Sequence, residues 1–317
     1  MAVRKQPDYI RDIGRMKARK NAIILAHYYQ TGDIQDIADF VGDSLALSQK
    51  AASNTADIIL FAGVKFMAET AKILAPEKKV LLPDMNAGCS LADSCKAEDF
   101  IKFIKDNPGR TVVTYVNTTA EIKAISDVVC TSSNAIKIIN SFPADEKIIF
   151  APDRNMGNYL INETGRDIVV WNGSCHVHEE FSLEAILKIR ETHPDAKILA
   201  HPECELPVRL VADFIGSTSS LLEYTRKDKG NCYIVATEPG IIHQMKKANP
   251  DKEYIPAPPK DSTCGCSECN FMKLITIEKI YRCLKDESPE IVVDEKIITD
   301  AQKPIRKMIE ISKKIGL

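Results

Sequence analysis

Short β-branched, apolar runs recur along the chain at intervals filled by helical patterns. AIILA, DIILFAG and KVLLP come first, then TVVTYV, KIIFAP and DIVVW, then KILAH and CYIVA. Continuous apolar runs of this length are the signature of strands buried on both faces, as in parallel sheets covered by helices. The predicted class is α/β. Helices are also predicted outside these runs, over Pro7–Lys20, Lys273–Lys285 and Pro304–Ile315, the last with Ile305, Met308, Ile309 and Ile315 on one face. The proline-rich stretch from Pro250 to Pro259 reads as an extended connection into a cysteine cluster.

The pattern also repeats. Segments 26-AHYYQTGDIQDIADFVGDS-44, 114-TYVNTTAEIKAISDVVCTS-132 and 200-AHPECELPVRLVADFIGST-218 align without a gap and share Asp39, Asp127 and Asp213. His27, Tyr115 and His201 each precede a hydroxyl residue, Ser44, Ser132 and Thr218, by 17 positions. Phe61, Phe150 and Val235 follow at 17, 18 and 17 positions, and cysteines close each copy. Counted from the strand-end residue, Cys89 lies 62 positions on and Cys175 lies 60, while Cys264, Cys266 and Cys269 lie 63, 65 and 68 on. A unit of this size is a small domain and not a solenoid repeat. Three pseudo-equivalent three-layer α/β domains with parallel sheets about a pseudo-threefold axis are therefore expected. Their bounds are 1–105, 106–191 and 192–270, with segment 271–317 packing on the first.

Composition narrows the chemistry. Basic and acidic residues number 42 and 44 with no like-charge block, which removes the electrostatic footprint of a nucleic-acid binder. No apolar run approaches the roughly 18 residues a membrane span needs, and the expected location is cytoplasmic. In a reducing compartment ten cysteines point to metal ligands, redox thiols or buried fillers, the last reading applying to Cys130 and Cys232. The motifs G-x-G-x-x-G, G-x4-G-K-[ST], H-E-x-x-H and G-x-S-x-G are absent, which argues against dinucleotide enzymes, P-loop NTPases, zincins and α/β-hydrolases.

One cysteine from each of three domains makes a three-thiolate site. Structural zinc closes its shell with four ligands and catalytic zinc usually includes histidine, so an iron–sulfur cluster fits better. Three thiolates on a four-iron cluster leave one iron open as a Lewis acid. Hydroxyls in GDS, TSS and GSTSS fall at predicted helix starts, where backbone N–H groups and the dipole favour anions. Glu203 is a candidate general base, and His178, three residues past Cys175, lies near the expected cluster. His176 is expected to point elsewhere, and His193 and His243 to be surface residues.

The motifs AHYYQ, GDSL, NAGCSLAD, YVNTT, CTSSNA, NGSCHVHE, HPEC and GSTSS, with C-x2-M-K-x-I-T-I-E-K, run in order from about residue 20 to 285. Together they resemble the quinolinate synthase family. The resemblance implies three α/β domains around a [4Fe-4S] cluster held by Cys89, Cys175 and Cys269. It implies condensation of iminoaspartate with dihydroxyacetone phosphate to quinolinate, phosphate and water, in NAD biosynthesis, and suggests coupling to an enzyme that produces iminoaspartate. His27, Ser44, Tyr115, Asn117, Ser132, His201, Glu203 and Thr218 would contact substrate, and Tyr29, His178 and Glu203 would move protons. The chain departs from the family in its C-x-C-x2-C arrangement: Cys269 keeps the family's spacing to Met272, whereas Cys264 best keeps the repeat spacing. Cys266 and Cys269 could form a regulatory disulfide. Two other readings are an iron–sulfur dehydratase of another small hydroxy acid and a zinc-stabilised binding protein.

Overall fold

The computed structural model describes residues 8–261 and 267–317. Strands β1 (Ala22–His27), β2 (Phe40–Gly42), β3 (Ile58–Ala62) and β4 (Lys79–Leu81) form a parallel sheet in the order β2-β1-β3-β4. The second sheet holds β5 (Thr111–Tyr115), β6 (Val128–Cys130), β7 (Ile148–Ala151) and β8 (Ile168–Val170), ordered β6-β5-β7-β8. The third holds β9 (Lys197–Ala200), β10 (Phe214–Ile215), β11 (Cys232–Ala236) and β12 (Glu253–Pro256), ordered β10-β9-β11-β12. All three are parallel with one strand order, so the sequence repeat is a structural repeat. Register repeats too: Leu25, Val113 and Leu199 pair with Phe40, Val128 and Phe214.

The shared aspartates explain how such short outer strands hold. Asp39 donates its N–H to the Ile24 carbonyl at 3.0 Å, and its Oδ2 accepts from the Ile24 N–H at 2.7 Å. Asp127 does the same with Val112 at 2.9 and 2.8 Å, and Asp213 with Ile198 at 2.8 and 2.7 Å. Each pins the entrance of β2, β6 or β10 to the neighbouring strand. These three strands fall inside segments that read as helical, because two or three residues are too few to show a period of two. β12 lies in the stretch expected to be an extended connection. It is an edge strand, and Pro256 closes it where a missing N–H is tolerated.

Apolar clusters lie on both faces of the third sheet, Ile198 and Ile234 on one side and Leu199 and Val235 on the other. That alternation places helices on each face. A larger cluster runs from Ile59 and Leu60 of the first sheet through Val113 and Phe150 of the second to Met308 of the last helix.

The terminal helices are Tyr9–Arg19, Ile277–Asp286 and Glu295–Lys314. The first two pack together, with the Tyr9 and Tyr281 rings 5.1 Å apart. The last begins well before Pro304, where the sequence predicts its start, capped by Asp294. Pro304 sits inside it on the buried face with Ala301, Ile305, Met308 and Ile309. Burial along that face offsets the lost backbone bond. This helix lies against helices Lys65–Leu74 and Ala120–Ala124 and strand β6, bridging the first two sheets. Among the described residues no helix is long and apolar enough to cross a membrane.

Candidate active site

Where β1, β5 and β9 end, the chain turns at once: the Gln30 N–H donates to the His27 carbonyl at 3.0 Å, that of Thr118 to Val116 at 2.8 Å and that of Cys204 to His201 at 3.0 Å. His27 and Tyr29, Tyr115 and Asn117, and His201 and Glu203 line one pocket. Gln30, Thr118 and Cys204 turn the other way and are buried. Ser44, Ser132 and Thr218 reach the same pocket from the next element. Ser44 and Thr218 open helices Ser44–Ser53 and Thr218–Lys227, but the caps are their neighbours: Asp43 accepts from the Ala46 N–H at 3.0 Å and Ser217 from the Ser220 N–H at 3.2 Å. Their own hydroxyls face the cavity. The second copy departs from expectation, because Ser132 lies in a turn and the helix starts only at Ala135. Asn134 has bent that turn by accepting from the Thr131 N–H at 2.7 Å.

Cys89, Cys175 and Cys269 all line this pocket, and each is the N-cap of a four-residue helix: Ser90–Asp93, His176–Glu179 and Asn270–Lys273. The three cysteines therefore hold one structural position in three units. Cys264 and Cys266, with any pairing of Cys266 to Cys269, lie outside the described residues. Burial pushes the Cys89 thiol up to about 12, against the N–H groups of Ala92 and Leu91. Burial likewise raises Cys269 to about 11, opposed by the Met272 N–H, and raises Cys175 well above the usual thiol range. Of the two cysteines expected to be fillers, Cys130 is fully buried in β6, whereas Cys232 in β11 is only partly covered.

Glu203 is the hub of the polar wall. Its Oε1 accepts from the Tyr115 hydroxyl at 2.6 Å, and its Oε2 lies 3.1 Å from His178 Nδ1. Burial works to raise the Glu203 carboxyl, but His178 and the hydrogen bond from the Tyr115 hydroxyl outweigh it and hold the group ionised, at about 2. An ionised carboxylate only accepts, so His178 Nδ1 carries a proton toward it, and Nε2 lies 3.0 Å from Thr237 Oγ1. The Tyr29 hydroxyl lies 2.8 Å from the same Thr237 oxygen. A continuous chain of hydrogen bonds runs Tyr29, Thr237, His178, Glu203.

His27 and His201 share a different arrangement. The N–H of Tyr29 donates to His27 Nδ1 at 3.2 Å and that of Glu203 to His201 Nδ1 at 3.3 Å. Burial lowers His27 to about 4 and His201 to about 3, so both are neutral and carry their proton on Nε2. Each is a fixed donor. Cys175, His178 and Glu203 also place ligand atoms within 4.8 Å of one another, close enough to hold a metal ion.

A model of the family described as Quinolinate synthetase A protein matches residues 11–310, a span that contains every pocket residue named above. The chain belongs to this family. Curated relatives named quinolinate synthase match nearly its whole length. That of Microcystis aeruginosa is 57% identical over 305 residues, 96% of this chain and 95% of the relative. That of Thermosynechococcus vestitus is 55% identical over 305 residues, and that of Synechocystis sp. strain PCC 6803 likewise, each at 96% of both chains. The pocket is the active-site candidate of a quinolinate synthetase A family enzyme.

Several groups around this family site are not among the sequence-predicted residues. His176, expected to point away, lines the pocket and its Nδ1 pairs with Ser90 Oγ at 2.7 Å, so residues following two of the cysteines meet. Thr237 joins Tyr29 to His178. Glu238, fully buried, pairs with Lys273 at 2.7 Å and faces the Cys269 N–H at 3.4 Å. Asp153, also fully buried, is pushed well above the carboxylate range by burial and by Glu203. Counting three residues on from Phe150 and Val235 reaches Asp153 and Glu238, so the repeat alignment held this signal. His193 and His243 are partly exposed, and His243 pairs with Asp36 at 2.9 Å.

Proposed function

We propose that this family member is a quinolinate synthase, which condenses iminoaspartate with dihydroxyacetone phosphate, releasing phosphate and water as quinolinate forms. The observation that carries the reading is the equivalence of Cys89, Cys175 and Cys269, three N-cap cysteines facing one pocket. The donor set fits a [4Fe-4S] cluster. Three buried thiols pushed up by burial, Cys89 and Cys175 also by neighbouring thiols and Cys269 by Glu238, need a cationic partner to ionise, and no fourth cysteine lines the pocket among the described residues. When bound, a cluster with one iron lacking a protein ligand supplies a Lewis acid. The alternative set of Cys175, His178 and Glu203 would compete with the contact between Glu203 Oε2 and His178 Nδ1.

The chain's own groups then divide the work. Both substrates are anions, yet no lysine or arginine lines the pocket among the described residues. Binding falls to fixed dipoles: the Nε2–H groups of His27 and His201, the Asn117 amide, the hydroxyls of Ser44, Ser132 and Thr218, and two helix N-termini. Glu203, ionised and aimed into the pocket, takes protons from substrate carbon or nitrogen. The His178–Thr237–Tyr29 chain passes them on and returns them to departing oxygens. The work belongs to NAD biosynthesis, and an enzyme producing iminoaspartate would supply the first substrate.

Anaerobic incubation of the iron-loaded protein with iminoaspartate and dihydroxyacetone phosphate, followed by mass spectrometry, tests the reading. Quinolinate at one equivalent per phosphate released is expected. Cluster-replete protein that forms none overturns it.

A further inference from the structure

Eight positions after His27, Tyr115 and His201 stand Gln35, Lys123 and Arg209, three residues of different chemistry in one slot of the repeat. All three are buried, at 2%, 0% and 6% exposure. Burying such groups is unfavourable unless they are hydrogen-bonded. Each donates to the same carbonyl of its own unit, three positions past the strand-end residue. Gln35 Nε2 donates to the Gln30 carbonyl at 2.8 Å, Lys123 Nζ to that of Thr118, and Arg209 Nε to that of Cys204 at 2.9 Å. The carbonyl they hold belongs to the residue directly after Tyr29, Asn117 and Glu203, the alternate pocket residues.

Each of the three also reaches across to a neighbouring unit. Gln35 donates to the Gly240 carbonyl of the third unit at 2.9 Å. Lys123 Nζ sits 5.4 Å from the ring centroid of Phe66 in the first unit, and the Arg209 guanidinium 5.6 Å from that of Tyr159 in the second. The contacts form a closed cycle: first to third, third to second, second to first. In every case the partner lies at or in the helix that follows the third strand of the receiving unit: Ile241–Ala248, Lys65–Leu74 or Arg154–Thr164. Close approach is built in at Gly240, where an added Cβ would come within 2.8 Å of the Tyr28 carbonyl oxygen.

We infer that Gln35, Lys123 and Arg209 are equivalent positioning residues, each fixing one substrate loop of its own unit through a buried donor while packing against the adjacent unit. The function they share is donation to the loop carbonyl, which an amide, an ammonium and a guanidinium supply alike; the contact to the adjacent unit differs, a hydrogen bond for Gln35 and a cation over a ring for Lys123 and Arg209. None touches the reacting atoms. They act through Tyr29, Asn117 and Glu203, and in this respect the inference rests on the proposed reaction, although the loop-fixing itself does not.

The test compares Lys123→Met with Lys123→Gln, and Arg209→Met with Arg209→Gln, in the iron-loaded full chain. Glutamine reaches the carbonyl from this slot in the first unit, and Glu69 keeps Lys65 at 3.8 Å when Lys123 loses its charge. Hydrogen–deuterium exchange of peptides spanning 115–119 and 201–205 should rise about tenfold in the methionine variants and stay within about threefold of the parent in the glutamine variants. Quinolinate turnover should follow the same order, with iron content unchanged. Unchanged exchange in a methionine variant, or an equal rise in its glutamine counterpart, overturns the inference. Where a methionine variant does not fold, the glutamine variant decides: loop protection like the parent's supports the inference, and exchange more than about tenfold faster in folded protein overturns it. A parent chain that makes no quinolinate would refute the proposed reaction while the exchange result still decides the positioning.

Discussion

The Tyr115 hydroxyl donates to Glu203 Oε1 at 2.6 Å, joining the strand ends of two units 88 positions apart in the chain. This bond and the His178 contact keep Glu203 ionised against its burial, which a proton acceptor requires. Glu203→Gln should lower kcat by about 10²–10⁴ with iron content unchanged, and Tyr115→Phe by about tenfold. Steady-state quinolinate formation under anaerobic conditions measures both. A Glu203→Gln variant with parental kcat would remove Glu203 from proton transfer.

Cluster binding should depend on Cys89, Cys175 and Cys269 and on no other cysteine. Single serine variants at these three are expected to lose the brown absorbance and most of the iron and sulfide after anaerobic reconstitution, whereas Cys264→Ser and Cys266→Ser keep about four irons per chain. Full iron in Cys269→Ser with loss in Cys264→Ser would reassign the third ligand.

The strand-pinning aspartates should matter for stability and not for chemistry. Asp127 is the cleanest probe, since Asp39 and Asp213 also pair with Lys17 and Arg190. Asp127→Ala leaves the Val112 N–H without its acceptor and should cost about 1.5–3 kcal/mol, read from urea unfolding, while kcat per folded chain is unchanged.

Acid should weaken the attachment of the C-terminal segment. Glu287 lies between Lys20 at 2.7 Å and Lys79 at 2.6 Å, and these hydrogen bonds lower its carboxyl from 4.5 to about 2. The unfolded chain protonates this group first. Its stabilising contribution is therefore complete above about pH 4.5 and is lost as pH falls through about 2. At low salt the melting temperature of Glu287→Gln should lie below the parent's at neutral pH, and the gap should close over that window. A gap independent of pH would show that the ion pairs contribute nothing.

Much of the site was legible in the chain because the legible part is local. His27, Tyr115 and His201 stand directly at strand ends of a repeat, where the carboxyl ends of parallel strands open onto a ligand site, so their place could be read from their positions after a strand. The cysteines were legible as the ends of copies, but three candidates in the last copy left the spacing ambiguous. Cys269 stands out in the fold because it caps a short helix as Cys89 and Cys175 do. Strands β2, β6 and β10 were hidden by their length, and the early start of the last helix by Pro304, which reads locally as a beginning.

By itself the sequence determined the α/β class and the threefold repetition, since both follow from periodicity along one chain. Only the tertiary structure decided which distant groups meet: Tyr115 with Glu203, Thr237 with both Tyr29 and His178, and Lys123 with Phe66. Contacts between units are set by how three sheets pack, and packing asks for a donor or an acceptor at a point in space. Glutamine, lysine and arginine can each satisfy that demand, so the shared role of Gln35, Lys123 and Arg209 leaves no common letter in the sequence.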